Sequence, residues 1–283
     1  MSNIINNAVE IYTFIDDLLK KVPQFANWRR SNHFQVHFSD SEVLTIALMQ
    51  PILQTDTLKS AFEHIRDNYK FLFPQMCSYS QWIRRLHALS AFVGKIIQES
   101  GCRALDGCFD RYYSIDSKAL PVCEPIRHGR VLLLRDEGAA FGKTHEGWFF
   151  GFKLHCVVHT STNAILGAIL TPGNFGDRDA GELLASGLGG GIALTDQGYS
   201  GDIFFDFLHD ECQMTRVMPS DAGIKGSSLR KLVSAVRQGI ETEFSRLWTK
   251  FIDRLFSRSW NGLWNTVKIK LAYFNLKLAG IIS

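Results

Sequence analysis

The stretch WFFGFKLHCVVH at residues 148–159 alternates between two faces. One face is apolar, and its side chains are Phe150, Phe152, Leu154, Cys156 and Val158. Lys153, His155 and His159 share the other face. A period of two residues is typical of a β-strand, so the stretch predicts a strand that packs its apolar face on a core. The Lys/His face has two open interpretations: contacts with phosphate and water at a reaction site, or a half-exposed strand surface.

Further strands and helices are predicted on both sides of this stretch. Short apolar segments predict strands at residues 111–116, 164–170, 192–195 and 214–218. Helical periodicity predicts helices at residues 179–186, 201–210 and 228–256. We expect the first three strands to pair antiparallel, and the later strands, which alternate with helices, to be parallel. The predicted fold class is therefore α/β, with a mixed sheet and flanking helices.

The first hundred residues have a helical pattern. Ser39 and Glu42 form a capping box, which is a signal for the start of a helix. Two more helices are predicted near residues 57–72 and 79–99. These patterns divide the chain into a helical N-terminal domain at residues 1–105 and an α/β domain with basic C-terminal helices at residues 106–283.

The formal net charge of the 283 residues is only +3, an average that argues against a nucleic-acid partner. The charge is segregated, however, with a net +1 over residues 1–100, −5 over residues 101–220 and +7 over residues 221–283. An acidic middle and a basic end suit a protein that gathers carboxylates at one place and holds a polyanion at another.

The six cysteines contain no C-x-x-C pair, so we expect reduced thiols and no thiolate zinc site. His155 and His159 also suggest a metal, but no zinc-type ligand set accompanies them in the sequence, and we predict that they bind no zinc. The N-terminus lacks a secretory pattern, and no uncharged apolar run reaches the roughly 20 residues of a membrane span. We therefore expect a cytoplasmic protein with no membrane partner.

Acidic residues follow two of the predicted strands. Asp116 ends the first strand and Asp196 ends the fourth. Carboxylates at the ends of neighbouring strands face the usual ligand crevice of an α/β sheet, although each alone is also typical of a turn or a helix cap. On the predicted helix 228–256, Glu241 and Glu243 flank the apolar stripe on opposite sides, and helical geometry does not choose between them. Three such carboxylates would bind hard divalent cations such as Mg²⁺.

These acids and their surroundings resemble a known family. Asp116, Asp196 and Glu241, in strand–strand–helix order, resemble the catalytic triad of DDE transposases, whose fold is like ribonuclease H. Several motifs are similar to those of one bacterial group, the insertion sequence 982 family, and they lie at residues 147–155, 170–174, 196–199 and 240–242. The likeness runs from about Ser39 to Ala279 and depends on several motifs that occur in the right order.

The resemblance implies a reaction and its participants. Asp116, Asp196 and Glu241 would be catalytic and would hold two Mg²⁺ ions, for which Mn²⁺ can substitute. The enzyme would cut the terminal inverted repeats of its insertion sequence and join them to target DNA, acting as a homodimer on double-stranded DNA in the bacterial cytoplasm, associated with the nucleoid. A broader signature, Tyr-x-x-Arg-x-x-x-Glu-x-x-x-x-x-x-Lys, fits only at Arg237 and Glu241, because Ser234 and Trp248 replace its tyrosine and lysine.

Candidate DNA contacts lie in several places. The long connection between the first two predicted strands, about residues 123–147, is rich in arginine, lysine and glycine. We predict DNA contacts by Arg127, Arg130, Arg135, Lys143, Lys153, Arg237 and Lys250. The basic residues of the C-terminal segment, which include Lys268, Lys270 and Lys277, are also expected to help hold the DNA backbone. The helical domain is expected to bind the DNA ends. Asn174, Asp177 and Asp179 are predicted to form a turn and a helix cap, with a metal-binding role as the less favoured alternative.

Two further hypotheses stay open at this point. The chain is either an active transposase, a degenerate or domesticated relative that binds DNA without cutting it, or a stand-alone metal-dependent nuclease of the same fold. The presence of all three acids disfavours the second of these.

Overall fold

The computed structural model describes residues 2–22, 37–144, 147–218 and 257–283. Glu241, Arg237 and Lys250 lie outside these ranges, so the predicted third acid and two predicted DNA contacts are not described. The chain divides into two compact units. The helical unit takes in the described residues of Met1–Ala104, Arg254–Ser257 and Asn261–Ser283, and the sheet unit those of Leu105–Asp253 and Arg258–Trp260.

The described residues of the N-terminal part of the helical unit form five helices, namely α1 (Ser2–Lys21), α2 (Asp40–Ile52), α3 (Leu58–Asn68), α4 (Tyr79–Ala88) and α5 (Ser90–Ala104). The predicted capping box is present, since Ser39 Oγ accepts from the Glu42 N–H at 3.1 Å and Glu42 accepts from the Ser39 N–H. The helix expected near 57–72 ends at Asn68 and continues as a 3-10 turn, Lys70–Leu72. The helix expected near 79–99 is two helices, which meet at Leu89.

The sheet unit is built on six strands, namely β1 (Tyr112–Cys123), β2 (Ala140–Thr144), β3 (Gly147–His159), β4 (Ile165–Pro172), β5 (Gly191–Leu194) and β6 (Met214–Val217). Their order is β2-β3-β1-β5-β6, and β4 also pairs with β3. The pairs among β1 to β4 are antiparallel, whereas β5 pairs parallel with both β1 and β6. The predicted α/β class with a mixed sheet is confirmed.

The predicted long connection between the first two strands contains structure of its own. It holds a 3-10 turn, Pro125–Arg127, and the short strand β2, which pairs with the start of β3. At the bulge of β1, a Cβ atom on Gly151 would lie 2.2 Å from the Leu120 carbonyl oxygen, so only glycine allows β1 and β3 to approach this closely. Gly151, which lies within β3, therefore serves strand pairing.

Two helices of the sheet unit, α6 (Asp177–Ala185) and α7 (Asp202–Asp210), lie close to the ranges predicted for them. Their apolar side chains join a buried core that includes Ile115, Val157, Leu184, Tyr199, Phe204, Leu208 and Met214. β3 is buried on both faces, because only 12% of the Lys153 side chain is exposed and His155 and His159 are buried. The half-exposed interpretation of the Lys/His face is therefore wrong.

The last helix, α8 (Trp260–Leu278), belongs from Asn261 onward to the helical unit, whereas the sequence placed it with the α/β domain. Polar contacts join it to α5: Lys268 donates to the Ser90 carbonyl oxygen, and Asn275 Nδ2 donates to that of Ile97 at 2.9 Å. Among the described residues, no helix is both long enough and apolar enough to cross a bilayer.

Candidate active site

The parallel pairing of β1 and β5 brings Asp116 and Asp196 together. The last paired residues are Ser114 and Leu194, and each aspartate lies two residues further along its own strand direction. Both aspartates are partly exposed, directly after the buried part of their segments. The two acids therefore occupy equivalent positions on neighbouring strands, at the edge where α/β sheets bind ligands.

Backbone N–H groups hold both carboxylates. Asp116 Oδ1 accepts from the N–H of Ser117 at 2.7 Å. Asp196 Oδ1 accepts from the N–H of Gly198 at 2.9 Å and so caps the 3-10 turn Gln197–Tyr199. These bonds orient both carboxylates through the local backbone.

A third carboxylate at this edge, Asp177, was not expected there. It begins α6, but the N-cap is Gly176, which makes no side-chain cap bond, so the predicted capping role of Asp177 is wrong. Instead, Asp177 Oδ1 accepts from Lys153 Nζ at 3.0 Å and from Ser117 Oγ at 3.3 Å. Asp177 is thus a member of the candidate site.

Gly198 allows Asp177 and Asp196 to approach each other. A Cβ atom built on Gly198 would lie 3.0 Å from Asp177 Oδ2 and 3.1 Å from Asp196 Oδ1. The two carboxylates therefore face the same small space, which any side chain at position 198 would enter.

The Tyr199 side chain lies beneath the three acids and is 1% exposed. Burial, reinforced by the negative charges of Asp177, Asp116 and Asp196, holds the pKa of its hydroxyl well above the ordinary value. Tyr199 therefore stays a neutral hydroxyl and adds no further negative charge to the site.

Lys153 and His155 approach the same acids from β3. Lys153 Nζ also lies 3.4 Å from the Phe175 carbonyl oxygen, so its ammonium group is held inside the site. His155 Nε2 lies 2.9 Å from Thr171 Oγ1, and Nδ1 is 3.8 Å from Asp177 Oδ1. Burial lowers the pKa of His155 to about 4, so its imidazole is neutral near pH 7.

The donor set fits a hard divalent cation. All three side chains at this edge offer carboxylate oxygens, the ligands that Mg²⁺ prefers. Asp177 and Asp196 converge on one point near Gly198, and Asp177 also pairs with Lys153. A divalent ion at this point would take oxygen ligands from Asp177 and Asp196, and Asp116 lies at the equivalent position on β1.

The predicted DNA contacts differ in their exposure. Arg127, Arg130 and Lys143 are exposed, and Lys143 Nζ lies 5.9 Å from the ring centroid of the exposed Trp148. Arg135 is partly buried and donates to the His128 carbonyl oxygen. Exposed cations beside an exposed aromatic ring can bind a nucleic-acid backbone.

The basic C-terminal segment is less available than its charge suggests. Lys268 is 7% exposed and Lys270 is 5% exposed. Burial lowers the pKa of each lysine to about 8. The expectation that these two lysines help to hold DNA is therefore wrong, because both side chains lie inside the helical unit.

A second cluster was also missed. Cys108, Asp110 and His159 lie near the start of β1, and one ligand atom of each lies within 4.8 Å of the others. No spacing motif in the sequence marks this cluster, because His159 is about fifty residues from the other two. The statement that no zinc-type ligand set accompanies His159 is therefore wrong.

Comparison with known proteins bears on the sheet unit. Residues 107–251, about half of the chain, match a family model described as a transposase DDE domain. Neither the curated proteins nor the solved structures include a match.

Proposed function

Because the chain belongs to the transposase DDE domain family, we propose that it is the transposase of an insertion sequence, which cleaves the ends of its element and joins them to target DNA. Membership of this family indicates a phosphoryl-transfer enzyme that acts on DNA with divalent metal ions, on a ribonuclease H-like fold. The finer assignment to the insertion sequence 982 family is supported by the motifs at residues 147–155, 170–174, 196–199 and 240–242.

The observation that carries the proposal is the equivalent placement of Asp116 and Asp196, each two residues past the last parallel pair of β1 and β5. The proposed third catalytic acid is Glu241, on the strength of the family motif at residues 240–242. These three carboxylates would hold the metal ions. When bound, two Mg²⁺ ions supply charge neutralisation at phosphorus and activation of the attacking oxygen.

The residues around the acids prepare the site for this chemistry. The N–H groups of Ser117 and Gly198 fix two carboxylates in advance, so little reorganisation is needed when the transition state forms. Lys153 brings one positive charge beside Asp177 and reduces the repulsion among the acids. Asp177 is proposed to position Lys153 and Ser117 and is not assigned a step of its own.

DNA binding is proposed for the exposed segment that follows β1. Arg127, Arg130 and Lys143 are exposed there and can neutralise phosphates, and Arg135 lies among them. Lys153, Arg237 and Lys250 would act closer to the scissile bond. The helical unit is proposed to recognise the terminal repeats, and two copies on paired ends would give a homodimer in the bacterial cytoplasm.

A plasmid assay tests the proposal. The substrate is a supercoiled plasmid that carries the inverted repeats found beside the coding region, with Mg²⁺ and labelled target DNA. Wild-type protein should cut at the repeats and join them to the target. Asp116→Asn should lose cleavage while it retains folding and DNA binding, and Asp206→Asn, an exposed acid on α7, is the matched control.

The same assay separates the alternatives. Cleavage without joining would identify a stand-alone nuclease, and specific binding without cleavage by the wild-type protein would identify a degenerate relative. Unchanged cleavage by Asp116→Asn would overturn the assignment of the catalytic acids.

A further inference from the structure

A compact cluster of Cys, Asp and His side chains lies at the end of β1 away from the candidate active site. Cys108 Sγ lies 3.1 Å from Asp110 Oδ2, and His159 Nε2 lies 3.0 Å from Asp110 Oδ1. Asp110 precedes Asp116 by six residues, which is about 20 Å along an extended strand. The cluster therefore cannot share its ligands with Asp116 and the acids beside it.

We propose that Cys108, Asp110 and His159 bind one Zn²⁺ ion. A thiolate, a carboxylate and an imidazole are the ligand types that zinc accepts, whereas Mg²⁺ prefers oxygen ligands alone. One ligand atom from each residue lies within 4.8 Å of the others, close enough for all three to move onto a single ion. Three protein ligands leave one coordination position for water.

Outer contacts hold these ligands in place. His159 is 1% exposed, and its Nδ1 lies 3.2 Å from Thr162 Oγ1, which leaves Nε2 turned toward Asp110. Nε2 also lies 3.1 Å from the Asp110 carbonyl oxygen. Ser161 Oγ donates to Asp110 Oδ2 at 2.8 Å. Such outer partners fix the tautomer and the orientation of metal ligands.

In the metal-free protein, hydrogen bonds donated by Cys108 and His159 take the place of bonds to the ion. The Cys108 thiol donates to Asp110, and this hydrogen bond, together with burial, raises the pKa of the thiol. Zinc would replace the thiol proton, and the proton on His159 would move to Nδ1 and be donated to Thr162. Metal binding of this kind releases protons and links the ligands.

The proposed ion would join two separate parts of the sheet unit. Cys108 and Asp110 precede β1, whereas His159 ends β3 and leads into the turn before β4. β1 and β3 already pair here, since Tyr113 faces His159 across the ladder. The ion would therefore stabilise the start of β1, and its site would be separate from that of the proposed phosphoryl transfer.

Cobalt spectroscopy on the full-length protein tests the proposal. After removal of metals with a chelator, Co²⁺ should give a thiolate charge-transfer band in the near ultraviolet and intense visible bands with one equivalent bound, and Zn²⁺ should abolish both. Cys108→Ser should lose the charge-transfer band and bind Zn²⁺ at least tenfold more weakly. Cys102→Ser, which changes an exposed cysteine on α5, should behave like the wild type.

A second measurement needs no variant. Zn²⁺ should protect Cys108 of the wild-type protein from alkylation, while the exposed Cys102 reacts with and without the ion, as peptide mass spectrometry will show. The absence of a charge-transfer band, an unchanged affinity in Cys108→Ser, or equal alkylation of Cys108 in both conditions would overturn the zinc site. Asp116→Asn should retain the zinc site. The failure of the zinc-site proposal and the failure of the proposed transposase activity can therefore be told apart.

Discussion

The acidic edge of the sheet unit and the basic last helix of the helical unit differ in the exposure of their charged side chains. At the edge, Asp116, Asp177 and Asp196 are partly exposed, and two of them converge on one point. In α8, Lys268 and Lys270 are buried, and burial lowers the pKa of each to about 8. A segment rich in one charge is therefore not automatically a binding surface, because the accessibility of each charged group decides what it can bind.

The largest effect is expected at the acidic edge, from Gly198→Ala. The new methyl group would lie 3.0 Å from Asp177 Oδ2 and 3.1 Å from Asp196 Oδ1, so the two carboxylates must move apart. We expect cleavage to fall by about tenfold, since the carboxylates must shift by a few tenths of an ångström and a full misplacement of about 1 Å costs about a hundredfold. Plasmid cleavage rates measure the effect. Gly189→Ala is the control, because a Cβ atom there meets nothing within 4 Å, and equal activity of both variants would contradict the convergence of the carboxylates.

The Lys153→Met variant tests the lysine that pairs with Asp177 at the acidic edge. It would leave Asp177 beside the other acids without its ion pair, which joins side chains that are 12% and 24% exposed. We expect a loss of about 1–3 kcal/mol in the free energy of unfolding without metal, because a partly buried charge loses its partner. Chemical denaturation measures the loss, and Mg²⁺ should restore more stability to the variant than to the wild type. Equal stabilisation of both proteins by Mg²⁺ would argue against a cation site at this edge.

The Lys270→Met variant tests the buried side of the comparison. A lysine whose pKa is lower in the folded than in the unfolded state disfavours folding at neutral pH, and this cost disappears as pH rises from about 8 toward 10.5. We therefore expect Lys270→Met to be more stable than the wild type at pH 7 by about 2 kcal/mol, with the difference smaller at pH 9.5. Thermal unfolding at the two pH values measures it. A constant difference would contradict the titration of Lys270 in this range.

The smallest effect concerns DNA affinity. Lys143→Ala removes an exposed cation beside Trp148, so DNA binding should weaken similarly for all sequences and the salt dependence of log K should fall by about one. Lys268→Met removes a buried lysine and should leave both quantities unchanged. Fluorescence anisotropy at several salt concentrations measures both quantities. A stronger effect of Lys268→Met than of Lys143→Ala would contradict the claim that the exposed lysine, and not the buried one, binds DNA.

Sequence patterns were sufficient for the features that depend on local order. The alternation in residues 148–159 predicts β3. The apolar residues before Asp116 and Asp196 predict their equivalent positions on β1 and β5, but the prediction that Asp116 ends its strand is wrong, because β1 continues to Cys123. The capping box at Ser39 and Glu42 predicts the start of α2. Each of these depends on neighbours within a few residues, or on the general rule for strand ends.

Features that depend on tertiary contacts were not predictable in this way. Asp177 has the position of a helix cap, and only the packing of α6 beside β3 brings it to Lys153. His159 meets Asp110 only through the register of β1 and β3. For α8, the apolar neighbours on both sides of Lys268 and Lys270 were a usable signal of burial, which the sum of charges concealed.

The most direct test of the central claim is metal rescue at Asp196. A cysteine ligand binds Mg²⁺ poorly but accepts softer ions such as Mn²⁺ more readily. Asp196→Cys should therefore show no plasmid cleavage with Mg²⁺ and regain cleavage with Mn²⁺, while wild type and Asp206→Cys cut with both ions. Cleavage by Asp196→Cys at the wild-type rate with Mg²⁺ would contradict the claim that this carboxylate holds the catalytic metal.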